Sequence, residues 1–231
     1  MLSVDFEKRL DRYTLKVSLR CDSQCVALFG ASGAGKSMTL KCIAGLEKPD
    51  KGVIKLNGRT LFDSARRINL SPQKRRVGYL FQDYALFPNM TVQGNIEAGL
   101  HAVPKKERSV KAKELIRRFH LDGLEKIRSD KLSGGEKQRV ALARIIASAP
   151  EAILLDEPFS SLDTLLKLEL IPSVKEIITR FSGDMLLVSH DIDEVRQLCA
   201  DTYPITEGSV GDPEPTESYY QKLKERYRNL K

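Results

Sequence analysis

Apolar positions along the chain follow two rhythms. At residues 2–6, 13–19 and 52–56 they lean toward alternation with polar positions, as in strands with one face on a core and one in water. At 25–29, 77–81, 152–155 and 185–188 they form short unbroken runs, which suit strands covered by helices on both faces. The first set predicts a small flanking antiparallel sheet, with Asn57-Gly58 as a hairpin turn. The second predicts a buried, mostly parallel sheet. A helix-like stretch covers 38–46, and 88–130 turns helical as an inserted subdomain whose basic helix opens near Pro104. After Tyr203 the chain is rich in Glu, Pro and Gly through 206–216, and a short charged helix is expected at the end. The fold class is α/β.

Composition narrows the class. A length of 231 residues suits one sizeable domain with an insert, and 41% hydrophobic with 30% charged residues excludes wholesale disorder and fibrous architectures. A membrane span needs about 20 mostly apolar residues, and even the apolar stretch 140–149 is broken by Arg144. The opening residues lack a basic segment followed by an apolar one, so the chain is expected in the cytosol. Cys21 and Cys25 have no second Cys or His pair at ligand spacing, which favours buried thiols over a metal site. The net charge of +7 fits a polyanionic ligand, an anionic membrane surface or nucleic acid, and the motifs must choose among them.

Gly30, Ala31, Ser32, Gly33, Ala34, Gly35, Lys36 and Ser37 match G-x-x-x-x-G-K-[ST] between a predicted strand and a predicted helix. Such a loop captures phosphates. Its backbone N–H groups and the helix dipole face the anion, Lys36 reaches the β/γ oxygens, and Ser37 offers a hydroxyl to Mg²⁺. The strand at 152–155 ends in Asp156 and Glu157, at the sheet edge where open α/β folds bind ligands. Asp156 is the expected Mg²⁺ carboxylate and Glu157 the expected general base. Gln82 and His190 follow two further core strands and are expected at the same edge, pointing into the nucleotide crevice. Ser133 and Glu136 have capping-box spacing, which leaves Gly134 and Gly135 in a first turn unexplained unless the backbone must approach something closely. A second copy of the chain is one such neighbour.

Taken together, these residues resemble the nucleotide-binding subunits of ATP-binding cassette transporters, over most of the chain to about Gly208. Walker A is Gly30 to Ser37, the Q-loop holds Gln82, and the signature begins Leu132-Ser133-Gly134-Gly135. Walker B ends at Asp156-Glu157, the D-loop runs from Ser160 to Asp163, and the switch is His190. The resemblance implies a P-loop NTPase core over 1–208, a short tail over 209–231 and no regulatory domain. It also implies ATP and Mg²⁺ as ligands, with catalytic roles for Lys36, Gln82, Glu157 and His190, and with Gln82 linking Mg²⁺ to the transmembrane subunits. Two cassettes would sandwich nucleotide, each Walker face meeting the partner's Ser133, Gly134 and Gly135, with Asp163 nearby. Tyr13 is the expected adenine-stacking residue, with Phe6 as its alternative. Implied partners are the permease subunits of an importer and, indirectly, a substrate-binding protein, which places the chain peripherally on the cytoplasmic membrane face. Tyr84, Leu86 and Phe87 are expected to receive the permease. The stretch 81–92 looks like that of importers for oxyanions, iron and polyamines, and 69–79 narrows the similarity to molybdate or tungstate importers, with sulfate, ferric iron and polyamine importers as alternatives. A nucleic-acid-associated ATPase of the superfamily is the rival class, disfavoured because no long coiled-coil insertion or second cassette is present, so no nucleic acid is expected.

Overall fold

The computed structural model describes residues 1–160 and 162–228, with only the backbone of Tyr227. In chain order the elements are β1 (Leu2–Arg9), β2 (Thr14–Arg20), β3 (Cys25–Phe29), α1 (Lys36–Ala44), β4 (Lys51–Leu56), β5 (Arg59–Asp63), β6 (Ile68–Asn69), α2 (Pro72–Arg75) and β7 (Val77–Leu80). They continue through α3 (Val92–Gly99), α4 (Lys105–Arg118), a 3₁₀ turn (Ser129–Lys131), α5 (Gly134–Ala147), β8 (Ala152–Asp156), α6 (Thr164–Arg180), β9 (Asp184–Ser189) and α7 (Ile192–Leu198). Last come β10 (Asp201–Thr206), β11 (Ser209–Val210), β12 (Glu214–Pro215) and α8 (Thr216–Arg228).

The two rhythms become two regions of one sheet, ordered β6-β5-β4-β1-β2-β11-β10-β3-β9-β8-β7. In the antiparallel arm, Leu2, Val4 and Phe6 alternate with exposed or half-buried residues, as do Leu15, Val17 and Leu19 on β2. In the parallel region, β3, β9 and β8 are buried along almost their whole length. Helices cover both faces there, so few positions have water to face. One apolar cluster joins this sheet to α3, α4, α5 and α6, and a second joins its other face to α1 and the arm.

Boundaries shift by small amounts for local reasons. Helix α1 starts at Lys36 rather than 38, because Gly35 adopts a left-handed φ of 105° and turns the chain directly into the helix. Strand β7 stops at Leu80, leaving Phe81 and Gln82 in the following turn. Pro104 caps α4 from just outside it. Residues 209–228 are laid onto the core: β11 bridges β10 to β2, β12 pairs with β10, and Glu217 of α8 meets Arg196 at 2.6 Å.

Arg75, fully buried, fastens the end of α1. Its guanidinium donates to the carbonyls of Cys42, Ile43 and Leu70 and to Asn69 Oδ1, at 2.7–2.9 Å. Burial pulls its pKa down to about 10, with Cys42 acting weakly the other way. All four cysteines are buried and reduced, Cys25 and Cys199 with sulfurs 3.2 Å apart.

Candidate functional site: a phosphate loop facing two carboxylates

Strand β3 delivers the chain to the glycine loop at the centre of the parallel sheet, and α1 leaves it pointing its N-terminus back at the same place. Lys36 Nζ donates to the carbonyls of Gly30 and Ala31, both at 2.9 Å, and lies 3.5 Å from Glu157 Oε1. The buried ammonium is thus held at the mouth of the loop, where an arriving phosphate would exchange partners with it. A cleft of about 410 Å³ opens there, lined by Ser32, Gly33, Gly35, Lys36, Ser37 and Gln82 among others.

Strand β8 brings the acids. Ser37 Oγ donates to Asp156 Oδ1 at 2.7 Å, and Tyr79 on neighbouring β7 donates its hydroxyl to Asp156 Oδ2 at 2.7 Å. Burial, with the hydrogen bond to Asp156, raises the Tyr79 phenol well above its ordinary range. The hydroxyl and carboxylate form an all-oxygen donor pair beside the loop, the chemistry that Mg²⁺ selects, so these residues fit that ion. Glu157 adopts a left-handed φ of 45° and donates its N–H to Val188 O at 3.0 Å. Its carboxylate lies 3.3 Å from His190 Nδ1 at the end of β9. Lys36, Ser37, Asp156, Glu157 and His190 therefore meet as a chain of contacts, with Gln82 exposed on the same cleft.

Behind His190 stands a support that the motif pattern did not reveal. Glu194 on α7 is buried and accepts from Ser189 Oγ at 2.7 Å and from Lys167 Nζ of α6 at 2.7 Å. Its signal was a Lys and a Glu lying 27 residues apart, which no local pattern links.

Tyr13 sits in the turn before β2, half-buried against the loop, with its hydroxyl donating to Gly33 O at 2.7 Å. Its ring is pressed on Gly208, where a Cβ would fall 2.2 Å from Tyr13 Cδ2. Phe6, the alternative, is 1% exposed in the arm's core and lines neither cleft bordering the glycine loop.

The signature residues lie elsewhere. Ser133 caps α5 and forms a complete capping box with Glu136. A Cβ on Gly134 would fall 3.0 Å from Leu162, and one on Gly135 3.2 Å from Leu170, so this chain itself supplies a close approach for both glycines. The inference from those glycines to a neighbouring subunit is weakened accordingly. Asp163 is the N-cap of α6, accepting from Leu166 N at 3.0 Å. Neither cleft bordering the glycine loop is lined by Ser133, Gly134, Gly135 or Asp163. Ser161, within the expected D-loop, lies outside the described residues, as do 229–231 of the expected tail.

A groove of about 410 Å³ runs along edge strand β7, lined by Tyr79, Phe81, Ala85, Phe87, Ala98 and Arg144 among others. Of the residues expected to receive a partner, Phe87 is there, 46% exposed beneath the Arg144 guanidinium. Tyr84 and Leu86 instead pack into the main apolar cluster, because the turn after β7 points them inward.

The family described as ABC transporter matches residues 14–160. The chain belongs to the ABC transporter family. This ABC chain is 41% identical over 219 residues to the molybdenum import ATP-binding protein ModC of Paramagnetospirillum magneticum, covering 94% of its own length and 60% of the relative. It is 42% identical to ModC of Rhodospirillum rubrum, with 94% and 59% covered, and 40% identical to ModC of Escherichia coli, with 91% and 59% covered. The chain thus spans about three fifths of these relatives. Among solved structures, the dimeric ATP-binding cassette MJ0796 in a post-hydrolysis state with ADP and Pi is similar at TM-score 0.75 and 26% identity, covering 94% of this chain and 99% of that one. CbiO1 of Clostridium perfringens shares the fold at TM-score 0.81 and 24% identity, covering 100% and 94%.

Proposed function

We propose that this ABC cassette binds and hydrolyses ATP to energise an importer for an oxyanion, molybdate or tungstate first. The observation that carries the reading is the set of contacts beside the phosphate loop, Lys36 to Glu157, Glu157 to His190 and Ser37 to Asp156, next to the cleft that Lys36, Ser37 and Glu157 line. The choice of ion is supported by the ModC relatives.

The loop N–H groups and Lys36 hold the phosphates, and Tyr13 offers its ring to the adenine. Ser37 and Asp156 would hold Mg²⁺, with Gln82 on the same cleft as a further oxygen donor, and the ion would supply positive charge to offset that of the phosphates. Glu157 takes the proton of the attacking water, and His190, fixed by the Ser189–Glu194–Lys167 support, orients Glu157 and the γ-phosphate edge. A second copy lays Ser133, Gly134, Gly135 and Asp163 over the nucleotide, completing a site that neither copy holds alone. Permease subunits dock at the β7 groove, a binding protein outside selects the ion, and the chain works peripherally on the cytoplasmic membrane face.

The test is co-purification with the permease, then ATPase assay in liposomes with binding protein carrying molybdate, tungstate, sulfate or nothing. Stimulation by molybdate or tungstate is expected. Stimulation by sulfate alone would reassign the cargo, and DNA- or RNA-stimulated ATPase without permease association would overturn the importer reading.

A further inference from the structure

Asp156 and the β7 groove are described above as separate places, yet one side chain belongs to both. Tyr79 donates its hydroxyl to Asp156 Oδ2 at 2.7 Å and also lines the groove. Its ring lies 4.4 Å from that of Phe81, which lines the same groove. We propose that Tyr79 is a positioning residue that ties occupancy of the groove to the orientation of the Asp156 carboxylate. The inference rests on reading the cleft as a Mg²⁺–nucleotide site.

The argument is one of rigidity. Asp156 is nearly buried, and a donor sits on each of its oxygens, Ser37 on Oδ1 and Tyr79 on Oδ2. Two donors on opposite oxygens fix the carboxylate plane. When Ser37 turns its hydroxyl to a metal ion, Tyr79 is left as the orienting donor, the place that outer-sphere partners of metal ligands occupy. A phenol moves as one plate with two rotatable bonds, so its ring cannot tilt without carrying its oxygen off Asp156. On the other side, β7 is the last strand of the sheet, and no further strand covers Tyr79. A group entering the groove presses on Phe81, and Phe81 presses on Tyr79. The edge of the sheet thus becomes a lever whose short arm is a hydrogen bond at the metal carboxylate.

Removing the hydroxyl leaves the plate and cuts the lever, so Tyr79→Phe is the informative change. The measurement is Mn²⁺ affinity by electron paramagnetic resonance in saturating ADP, for wild type, Tyr79→Phe, Ala98→Trp, which fills the groove, and the double variant. ADP affinity without metal and the melting curve accompany each protein. In Tyr79→Phe, Mn²⁺ affinity is expected to fall about tenfold, with metal-free ADP affinity and melting near wild type. Ala98→Trp should change Mn²⁺ affinity severalfold with Tyr79 present and leave it unchanged in Tyr79→Phe, the signature of coupling through that side chain. Mn²⁺ affinity within twofold of wild type in Tyr79→Phe would overturn the positioning role. An Ala98→Trp effect that is nil, or equal in both backgrounds, would overturn the lever. Wild-type protein that binds no ADP would instead sink the nucleotide reading on which the inference rests.

Discussion

The two motif-bearing regions of this ABC cassette, the Walker face around the glycine loop and the signature face around Ser133, are built in opposite ways. On the Walker face, side chains from α1, β7 and the ends of β8 and β9 bond to one another: Lys36 to Glu157, Glu157 to His190, Ser37 and Tyr79 to Asp156. On the signature face the two helix starts are capped locally, Ser133 by Glu136 and Asp163 by the start of its own helix. One face is a preorganised constellation; the other is a well-capped helix end. On the function proposed above, the contrast separates chemistry from control. Transition-state groups need fixed geometry within one chain, whereas a completing lid must be able to leave.

That contrast can be broken most forcefully at Glu157. Glu157→Gln should keep nucleotide affinity and lower turnover by a factor of about 10² to 10⁴, read as phosphate release, while a dimer accumulates in light scattering. Turnover at the wild-type rate would remove Glu157 as the base. Next in size is the division between faces. Ser133→Arg and Lys36→Ala should each be inert alone, the first still binding nucleotide, but their mixture should regain turnover, because one site of a mixed dimer then joins an intact loop to an intact signature. A mixture as inert as its components would return Ser133 to being a helix cap.

A smaller effect bears on the rigidity of the Walker face. Arg75→Ala strands buried carbonyls at the end of α1 and leaves a void, at a cost of about 3–5 kcal/mol in denaturant unfolding. A loss under about 1 kcal/mol would show that α1 does not depend on this clamp. Smallest is the link between faces, since α6 begins at Asp163 and its Lys167 reaches Glu194 behind His190. Lys167 is partly exposed, so Lys167→Met should cost about 1 kcal/mol. Burial draws its pKa down, but hydrogen bonds and charge from Glu194 and Asp191 outweigh this and leave it raised above 10.5. The folded state then holds the proton more tightly than the unfolded chain. The pair's contribution is full below pH 10.5 and fades as pH climbs through the folded value, so the stability gap between wild type and variant should close only above that point.

Much of this was legible in the sequence because it is local. Strand rhythm, the Asn57-Gly58 hairpin and the glycine loop each depend on residues within a few positions, and the structure forms all three. The convergence of Gln82, Glu157 and His190 could be anticipated because each follows a core strand to the same sheet edge. What escaped was long-range or inward. Tyr79 looked like one more apolar strand position, and only the pairing of β7 with β8 brings its hydroxyl to Asp156. Arg75 lay in a basic triplet that resembles any solvated turn, and nothing nearby indicated four buried oxygens waiting for it. Tyr84 and Phe87 differ in burial although they share a segment, because a single turn decides which points to the core.

Glu157 sits in a backbone conformation that costs an ordinary side chain roughly 1–2 kcal/mol and that asparagine or glycine would accept more readily. With Glu157 as the proposed base, stability and competence pull in opposite directions at one codon. A lineage released from selection for turnover would be expected to drift to Asn or Gly there and emerge as a sturdier cassette that binds its nucleotide and does nothing with it.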